Sequence, residues 1–555
     1  MKRLGIAGAS IAIAVAGLAT TTPGANAASS RSASDRAPAS TAYTPPPLTW
    51  HTCASETLQS FGSKCADLVV PVDYAKPNGK KITLAVSRLK HSSPDSDYQG
   101  VMLVNPGGPG GSGLIYSVFG EGSFVPGDGD TTYDWIGFDP RGVGSSVPAL
   151  TCDPSFYGYD RPPFDITRYH TEGVWLRRSA HYAHACGQSA AAKIGLLDHM
   201  KTTDNVMDME SLRKALGQKK INFYGFSYGT ELGQVYATLH PNRVRRFVLD
   251  SNVDPRRTPY QANLDQDTAF QKTINVYFGW LADHDSFYHL GTTRHEVARG
   301  FYAERRKLDQ HAAGGIVGGD ELTDALLGAA YYVYGWVDTA EAYSALINKG
   351  EYQAIADLYG ATPDVPGSDN GNAVYLATTC TDAPWPSSWQ RIKHDNIQVD
   401  RNAPFLTWDN AWFNGPCSFW PAKAGTPVHV TGKDVKSPIL LIDETFDPAT
   451  PYAGSLEVRR RFPTASLIEG VGGTTHAGSL SGVACTDDAI GRYLTNGTVP
   501  KRKAGDRSDL RCPPVPQPEP APQASSGQSL QKQTAPAAAG LPPLLRGRLM
   551  AAQQR

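Results

Sequence analysis

The sequence has no excess charge of either sign: its 555 residues contain 52 lysines and arginines against 53 aspartates and glutamates. Proteins that bind nucleic acid or an anionic membrane surface normally carry a clear excess of basic residues. The charge balance therefore gives no reason to expect either kind of partner.

Another absence concerns the cysteines, because none of the eight lies in a CxxC pair. In an oxidising compartment an even number of cysteines without that spacing indicates four disulfides rather than a metal site. Eight cysteines allow 105 pairings, and the sequence does not choose among them. We expect each cysteine to pair with its neighbour along the chain, so that each bridge holds one local region together. The eight are Cys53, Cys65, Cys152, Cys186, Cys380, Cys417, Cys485 and Cys512.

The first residues predict export. Lys2 and Arg3 precede an apolar stretch from Leu4 to Ala19, and small residues follow up to Ala27. This arrangement is that of a secretory signal peptide over residues 1–27 with cleavage after Ala27. A retained membrane helix is the alternative, and it is disfavoured because the stretch is short and rich in Ala and Gly.

Two further segments have the composition of unstructured chain. Residues 28–47 consist mainly of Ser, Ala, Thr and Pro, and they predict a linker or propeptide. Residues 513–555 are rich in Pro, Ala, Gln and Ser, and they predict a disordered tail.

Between these segments, strands and helices alternate. Apolar runs such as LVVPVDY, ITLAVSRLK and VMLVN predict strands, and Val174–Gln188 and Thr203–Leu216 predict helices. Alternation of this kind indicates an α/β fold, a mainly parallel sheet with helices on both faces. We predict its first part at 48–254 and its second part at 436–512.

The alternation stops between residues 255 and 435. This region is rich in Tyr, Trp and Ala, and its patterns are helical without a clear strand run. We predict a large helical insertion that covers the sheet as a lid.

A strand, a sharp turn and a helix surround the pentapeptide GFSYG, Gly225 to Gly229. Lys219 to Tyr224 predicts the strand, and the residues from Thr230 predict the helix. Such a turn holds Ser227 in a strained conformation at a helix N-terminus, where its hydroxyl is exposed as a nucleophile. An ordinary glycine-rich turn is the alternative interpretation.

A nucleophilic serine needs a base and an acid that orients the base. Asp447 and His476 follow Ser227 in the order expected for this fold class, and each comes after a predicted strand. Asp443 is the rival acid, because it lies four residues before Asp447 and closer to the strand.

The oxyanion of a tetrahedral intermediate needs hydrogen-bond donors. We expect one from the backbone N–H of Tyr228 and another from Gly107 or Gly108 in NPGGPGGSG. Arg141, in the FDPRGVGSS loop, could contact substrate, but a structural salt bridge with Asp139 or another loop carboxylate is the favoured interpretation.

Several motifs together resemble one family. PGGPG at Pro106 to Gly110 is similar to the HGGPG loop of the proline iminopeptidase branch of the α/β-hydrolases, although Asn105 and Pro106 stand where a histidine would begin that loop. The set NPGGPGGSG, FDPRGVGSS, YGFSYGT, FDPATPY and NAVYLATTCTDAPWP resembles the secreted tripeptidyl aminopeptidases of filamentous actinomycetes. The resemblance covers nearly all of the chain from about residue 50 to Cys512.

This resemblance implies an α/β-hydrolase that acts as a serine exopeptidase on free N-termini, with Ser227, Asp447 and His476 at the matching triad positions. It implies no metal or organic cofactor, and we expect a monomeric enzyme with peptide substrates. A secreted esterase or lipase with the same triad is the alternative function. A binding protein that keeps the scaffold without activity is a further alternative.

An exopeptidase also needs an anion for the substrate's ammonium group. Asp382, in the CTDAPWP segment, is the first candidate, and Asp265 and Asp267 in NLDQDTAF are the next. Solvated or helix-capping carboxylates are the alternative interpretation of all three.

Overall fold

The computed structural model describes residues 43–520 except 123, 128 and 362. The predicted signal peptide and most of the predicted linker and tail lie outside the described residues.

One sheet organises the described chain. Its strands are β1 His51–Thr52, β2 Lys64–Pro71, β3 Lys81–Leu89, β4 Val101–Asn105, β5 Asp134–Phe138, β6 Ile221–Phe226, β7 Val244–Asp250, β8 Ile439–Glu444, β9 Ala465–Gly470 and β10 Leu510–Cys512. They lie in the order β1-β2-β3-β5-β4-β6-β7-β8-β9-β10. Pairing is antiparallel from β1 to β5 and parallel from β5 to β10. The sheet is therefore mainly parallel, as the sequence predicts.

The central strands β4, β6 and β8 are buried at every position. Continuous burial is expected of parallel strands that are covered on both faces. The helices outside the insertion are α1 Glu56–Ser60, α2 Ile166–Tyr169, α3 Glu172–Gln188, α4 Ala190–Lys193, α5 Thr202–Ala215, α6 Tyr228–Leu239, α16 Ala453–Arg461 and α17 Ala484–Asn496.

The chain between β7 and β8 is helical, as predicted. Its helices are α7 Pro259–Asp283, α8 Asp285–Tyr288, α9 Arg294–Leu308, α10 Gly319–Tyr331, α11 Trp336–Lys349, α12 Gln353–Tyr359, α13 Asn370–Asp382, α14 Trp389–Asp400 and α15 Thr407–Phe413. Many of them share an apolar core that includes Ile274, Tyr277, Leu322 and Trp336. The helices α7 to α12 thus form a packed layer, whereas α13 and α15 contribute to the core around the sheet. We refer to the whole insertion as the lid.

The disulfides confirm the expected pairing of neighbours. The bridges are Cys53–Cys65, Cys152–Cys186, Cys380–Cys417 and Cys485–Cys512, and no described cysteine is free. Among the described helices, none is long and apolar enough to cross a membrane.

The prediction of unstructured chain at 28–47 and 513–555 is wrong at the end of each segment that borders the fold. Pro45 is buried, and the Tyr43 hydroxyl donates a hydrogen bond to the Val69 carbonyl. After Cys512, Val515 is buried, and the Pro518 carbonyl accepts a hydrogen bond from the indole of Trp280 in the lid. Composition misses these contacts because a few Pro, Val and Tyr residues in a polar segment are enough to anchor it.

Arg141 is buried and structural, in agreement with the favoured interpretation, but its partner is not a loop carboxylate. Its guanidinium donates two hydrogen bonds of 2.7 Å to the carboxylate of Asp208 on α5. A buried guanidinium needs such a bidentate partner to offset its lost hydration. The residue therefore ties the loop after β5 to α5.

Candidate active site

Ser227 occupies the turn between β6 and α6 in a conformation that is rare for a residue with a side chain, with φ 55° and ψ −126°. The turn is this tight because glycines flank it. A β-carbon on Gly225 would lie 2.5 Å from the Gly229 carbonyl oxygen, and one on Gly229 would lie 2.5 Å from the Asn105 carbonyl oxygen. Ser227 is only partly buried, and its side chain stands at the N-terminus of α6.

The glycine-rich loop after β4 lies against this turn. A β-carbon on Gly107 would lie 2.9 Å from that of Ser227 and 3.0 Å from the backbone nitrogen of Tyr228. The Gly107 N–H already donates to the Asn105 side-chain oxygen at 3.0 Å. Of the two predicted loop donors, Gly108 is therefore favoured, and it lines the same cavity as Ser227.

Asp447 and His476 are in direct contact. The His476 Nδ1 lies 2.8 and 3.0 Å from the two carboxylate oxygens of Asp447, and both side chains are buried. The N–H groups of Ala449 and Thr450 also donate to Asp447, each at 2.9 Å. These donors hold the carboxylate in one orientation.

The loop that carries His476 is anchored on two sides. On the sheet side, the Ala477 N–H donates to the Ser251 hydroxyl at 2.7 Å. On the lid side, the His476 N–H donates to the Tyr331 carbonyl at the end of α10, at 2.9 Å. The imidazole position thus depends on both the sheet and the lid.

Asp443, the rival acid, faces another partner. It accepts a hydrogen bond from the Ser455 hydroxyl and is fully buried. Burial, together with the nearby charge of Asp447, raises the pKa of Asp443 well above its usual range. Only Asp447 of the two contacts the imidazole.

A cleft of about 400 Å³ opens in front of Ser227. Its walls come from the glycine-rich loop, the loop after β8 and the lid helices α7 and α13. Thr450 lines it and connects it to the buried pair, since its hydroxyl lies 3.1 Å from Asp447 and 3.4 Å from the His476 Nδ1. A larger cavity of about 620 Å³, near β10, is lined by none of these residues.

The lid and the glycine-rich loop meet at one close contact. A β-carbon on Gly110 would lie 2.2 Å from the carbonyl oxygen of Gly371 on α13. This approach places α13 beside the nucleophile turn. Asp382, the last residue of α13, consequently lines the cleft together with Ser227.

The three carboxylates predicted for substrate binding do not share one site. Asp382 and Asp265 line the cleft, and Asp265 is paired with Arg257 at 2.7 Å. Asp267 does not line the cleft; it is buried and accepts a hydrogen bond from Asn410, and burial raises its pKa well above the usual range. Side chains two positions apart on a helix point about 200° apart, so Asp265 and Asp267 face opposite sides of α7.

Two polar residues that line the cleft, Thr450 and Glu231, were not predicted from the sequence. Thr450 lies three residues after Asp447, and Glu231 lies four residues after Ser227, on the first turn of α6. The position of Glu231 was a usable signal, because the first turn of the helix after a nucleophilic serine lies beside that serine.

Comparisons with known proteins identify the fold and the family. The family model described as "alpha/beta hydrolase fold" matches residues 100–297, and the model described as "TAP-like protein" matches residues 403–509. A tripeptidyl aminopeptidase of Streptomyces lividans is 39% identical over 85% of this chain and 88% of its own. The serine protease Hip1 of Mycobacterium tuberculosis (strain H37Rv) is 30% identical over 82% of this chain and 90% of its own.

The chain is also similar to two other proteins. A carboxylesterase B of the same Mycobacterium tuberculosis strain is 30% identical over 84% of this chain and 90% of its own. A proline iminopeptidase structure from Mycobacterium smegmatis covers 78% of this chain and 98% of its own at 15% identity, with a TM-score of 0.32. On the sequence similarity, this chain is a serine peptidase with the α/β-hydrolase fold, and it belongs to the tripeptidyl aminopeptidase family.

Proposed function

We propose that the protein is an exported exopeptidase that removes short peptides, the size of tripeptides, from free N-termini through an acyl-enzyme on Ser227. The observation that carries the proposal is a shared cleft. Ser227 lines it, and so does Thr450, whose hydroxyl contacts both Asp447 and His476. This contact supports the proposal that the nucleophile, the base and the acid act on a substrate in the same cleft.

The chemistry follows from these positions. Ser227 Oγ attacks the scissile carbonyl while His476 takes the hydroxyl proton, and Asp447 holds the imidazole in the tautomer that can accept it. The oxyanion receives hydrogen bonds from the N–H groups of Tyr228 and Gly108. His476 then gives the proton to the leaving amine, and a water molecule, activated by the same imidazole, hydrolyses the ester on Ser227.

Exopeptidase action requires a means of measuring the distance from the N-terminus, and the three reacting side chains supply none. The lid helices α7 and α13, which form part of the cleft wall, are suited to block a longer chain. An ammonium group buried in the cleft would need a carboxylate partner. Asp382 and Asp265 remain candidates for this partner. Asp267 is no longer a candidate, because it is buried and does not line the cleft.

Two features of the chain support export. The sequence begins with the features of a signal peptide, and the four disulfides suit an oxidising compartment. Edman sequencing of protein from culture medium should give an N-terminus at or beyond residue 28.

A secreted esterase or lipase is the second candidate function, because it would use the same nucleophile and because one relative carries the name carboxylesterase B. A comparison of tripeptidyl anilides with short-chain esters tests it. We expect the anilides to give the higher kcat/KM.

The third candidate, a binding protein without activity, is tested by covalent labelling. A fluorophosphonate probe should label one serine, and peptide mapping should place the label on Ser227. Failure to label the folded protein would favour the binding protein.

A further inference from the structure

Among the described residues, Glu231 has no hydrogen-bond or ion-pair partner. It is the fourth residue of α6, the helix that begins directly after Ser227, and both Glu231 and Ser227 line the cleft. Two effects act on the ionisation of Glu231, its burial and the charge of Asp382. No hydrogen-bond donor among the described residues contributes. An unpartnered carboxylate in an enclosed site is costly unless a ligand completes it.

Asp382 faces the same space and is held rigidly. The Thr202 N–H and hydroxyl donate to its two oxygens, each at 2.7 Å, and the Tyr228 hydroxyl lies 2.7 Å from that of Thr202. Asp382 is thereby fixed relative to the nucleophile turn. We call Glu231 and Asp382 the carboxyl pair.

Both carboxyl groups of the pair have pKa values above their usual range. Burial and the charge of Asp382 raise the pKa of Glu231 to about 8. Burial raises the pKa of Asp382 to about 6, against the two hydrogen bonds from Thr202. Two carboxylates at close range share protons unless a positive group neutralises them.

The other charged side chains near the pair mostly have partners. In the cleft, Arg257 pairs with Asp265 and Arg256 pairs with Asp254. Next to Asp382, Lys201 donates to the Asp198 carbonyl and its charge lowers the pKa of Asp382, whereas the charge of Asp204 raises it. Lys272 also lines the cleft, from α7.

The space beside the pair suits an aliphatic stem with a charged end. A side cavity of about 50 Å³ continues from the carboxyl pair. Val235, Val253 and Val430 contribute to its lining, and so do Lys201 and Arg257. Lysine and arginine side chains bury their methylene stems on apolar surface and place the charge at the tip. Their charge would complete the hydrogen bonding of the pair.

Distance identifies which cation of the substrate is meant. In an extended tripeptide the terminal nitrogen lies about 10 Å from the scissile carbonyl, at about 3.3 Å per residue. Glu231 lies on the first turn of α6, directly after Ser227, and a four-carbon side chain on the residue under attack is long enough to reach it. With Asp382 assigned to that side chain, Asp265 is the remaining predicted carboxylate of the cleft for the terminal ammonium group, which would replace its partner Arg257.

We propose that Glu231 and Asp382 form a subsite for the cationic side chain of a lysine or arginine immediately N-terminal to the scissile bond. The inference rests on the proposed attack by Ser227. It makes the enzyme selective for tripeptides that end in a basic residue.

The test compares two anilide substrates, Ala-Ala-Lys and Ala-Ala-norleucine para-nitroanilide, which share a stem and differ in the ammonium group. For the wild-type enzyme we expect kcat/KM for the lysine substrate to exceed that for the norleucine substrate on the order of ten-fold or more. This is the effect expected of a hydrogen bond to a charged group. Glu231→Gln and, separately, Asp382→Asn should bring the ratio close to one. Glu351→Gln, at an exposed position outside the cleft, should leave the ratio unchanged.

The outcomes are distinct. A wild-type ratio near one overturns the inference, whatever the variants do. So does an equal loss on both substrates in Glu231→Gln, because the carboxyl pair would then bind a feature that both share, such as the terminal ammonium group. If Ser227→Ala cleaves both substrates at the wild-type rate, the proposed function has failed instead.

Discussion

The backbone of Gly107 lies directly against Ser227, so that a β-carbon at position 107 would sit 2.9 Å from the Ser227 β-carbon. It would also lie 2.5 Å from the Phe226 carbonyl oxygen. The position of the glycine-rich loop, and with it the Gly108 N–H, therefore depends on the absence of a side chain here.

Gly107→Ala should accordingly displace the loop and lower kcat/KM on the order of a hundred-fold or more, as expected for a displacement of about 1 Å in a reacting geometry. Gly195→Ala is the matched control. Gly195 also has a positive φ, 87°, but a β-carbon there meets nothing within 4 Å. The control should lose only about 1–2 kcal/mol of stability and keep its activity; equal activity of the two variants would contradict this role of the loop.

Asp447→Asn and Asp443→Asn should differ sharply. Asparagine at 447 would no longer stabilise the charged imidazole or fix its tautomer, and a comparable change in a serine protease lowers kcat by about ten-thousand-fold. Burial and the charge of Asp447 raise the pKa of Asp443 well above its usual range, which favours its neutral form, so a neutral asparagine should be tolerated with a small loss. Steady-state kinetics on one anilide decide the matter, and the opposite ranking would give the acid role to Asp443.

The lysine preference should depend on pH in a defined direction. Glu231 and Asp382 have pKa values of about 8 and about 6 in the free protein, so both are charged only at the alkaline end of this window. Lysine stays protonated there, with a pKa of about 10.4. The lysine-to-norleucine ratio of kcat/KM should therefore rise as the pH increases from about 6 to about 8.

Taking this ratio cancels the ionisation of His476 and of the substrate's terminal amine, which affect both substrates alike. In Glu231→Gln the ratio should be low across the whole window. A wild-type ratio that falls with increasing pH would contradict the prediction.

The disulfide between Cys380 and Cys417 closes a stretch of 37 residues within the lid and lies close in sequence to Asp382. The double replacement by serine should lower stability by about 2–5 kcal/mol, since each native bridge restricts the unfolded chain. Thermal unfolding measures the loss. In the wild-type protein, denatured but not reduced, two or more titratable thiols would contradict the four bridges.

The sequence predicts the parts of the fold and site that local chemistry determines. GFSYG specifies the turn at Ser227 because glycines must occupy positions 225 and 229. Chain order and strand ends identify Asp447 and His476, because the carboxyl ends of parallel strands meet at one edge of the sheet.

Other parts depend on tertiary packing, and the sequence could not supply them. An acidic residue on the first turn of a helix, such as Glu231, is typical of simple dipole stabilisation. Its place beside Asp382 emerges only when α13 packs on the glycine-rich loop. Likewise, Val515 belongs to a proline-rich tail by composition, yet its N–H donates to Glu444, which also holds the N–H of Thr475 beside His476.

The most direct test of the account is mass spectrometry of the products from one defined peptide of twelve or so residues, with a free N-terminus, and from its N-acetylated twin. We predict that the wild-type enzyme releases tripeptides in succession from the free peptide and leaves the acetylated one uncut. Ser227→Ala, folded by circular dichroism, should lose activity on the order of a million-fold. Internal cleavage, or equal rates for the two peptides, would contradict the exopeptidase, and turnover by Ser227→Ala at a tenth of the wild-type rate would contradict the nucleophile.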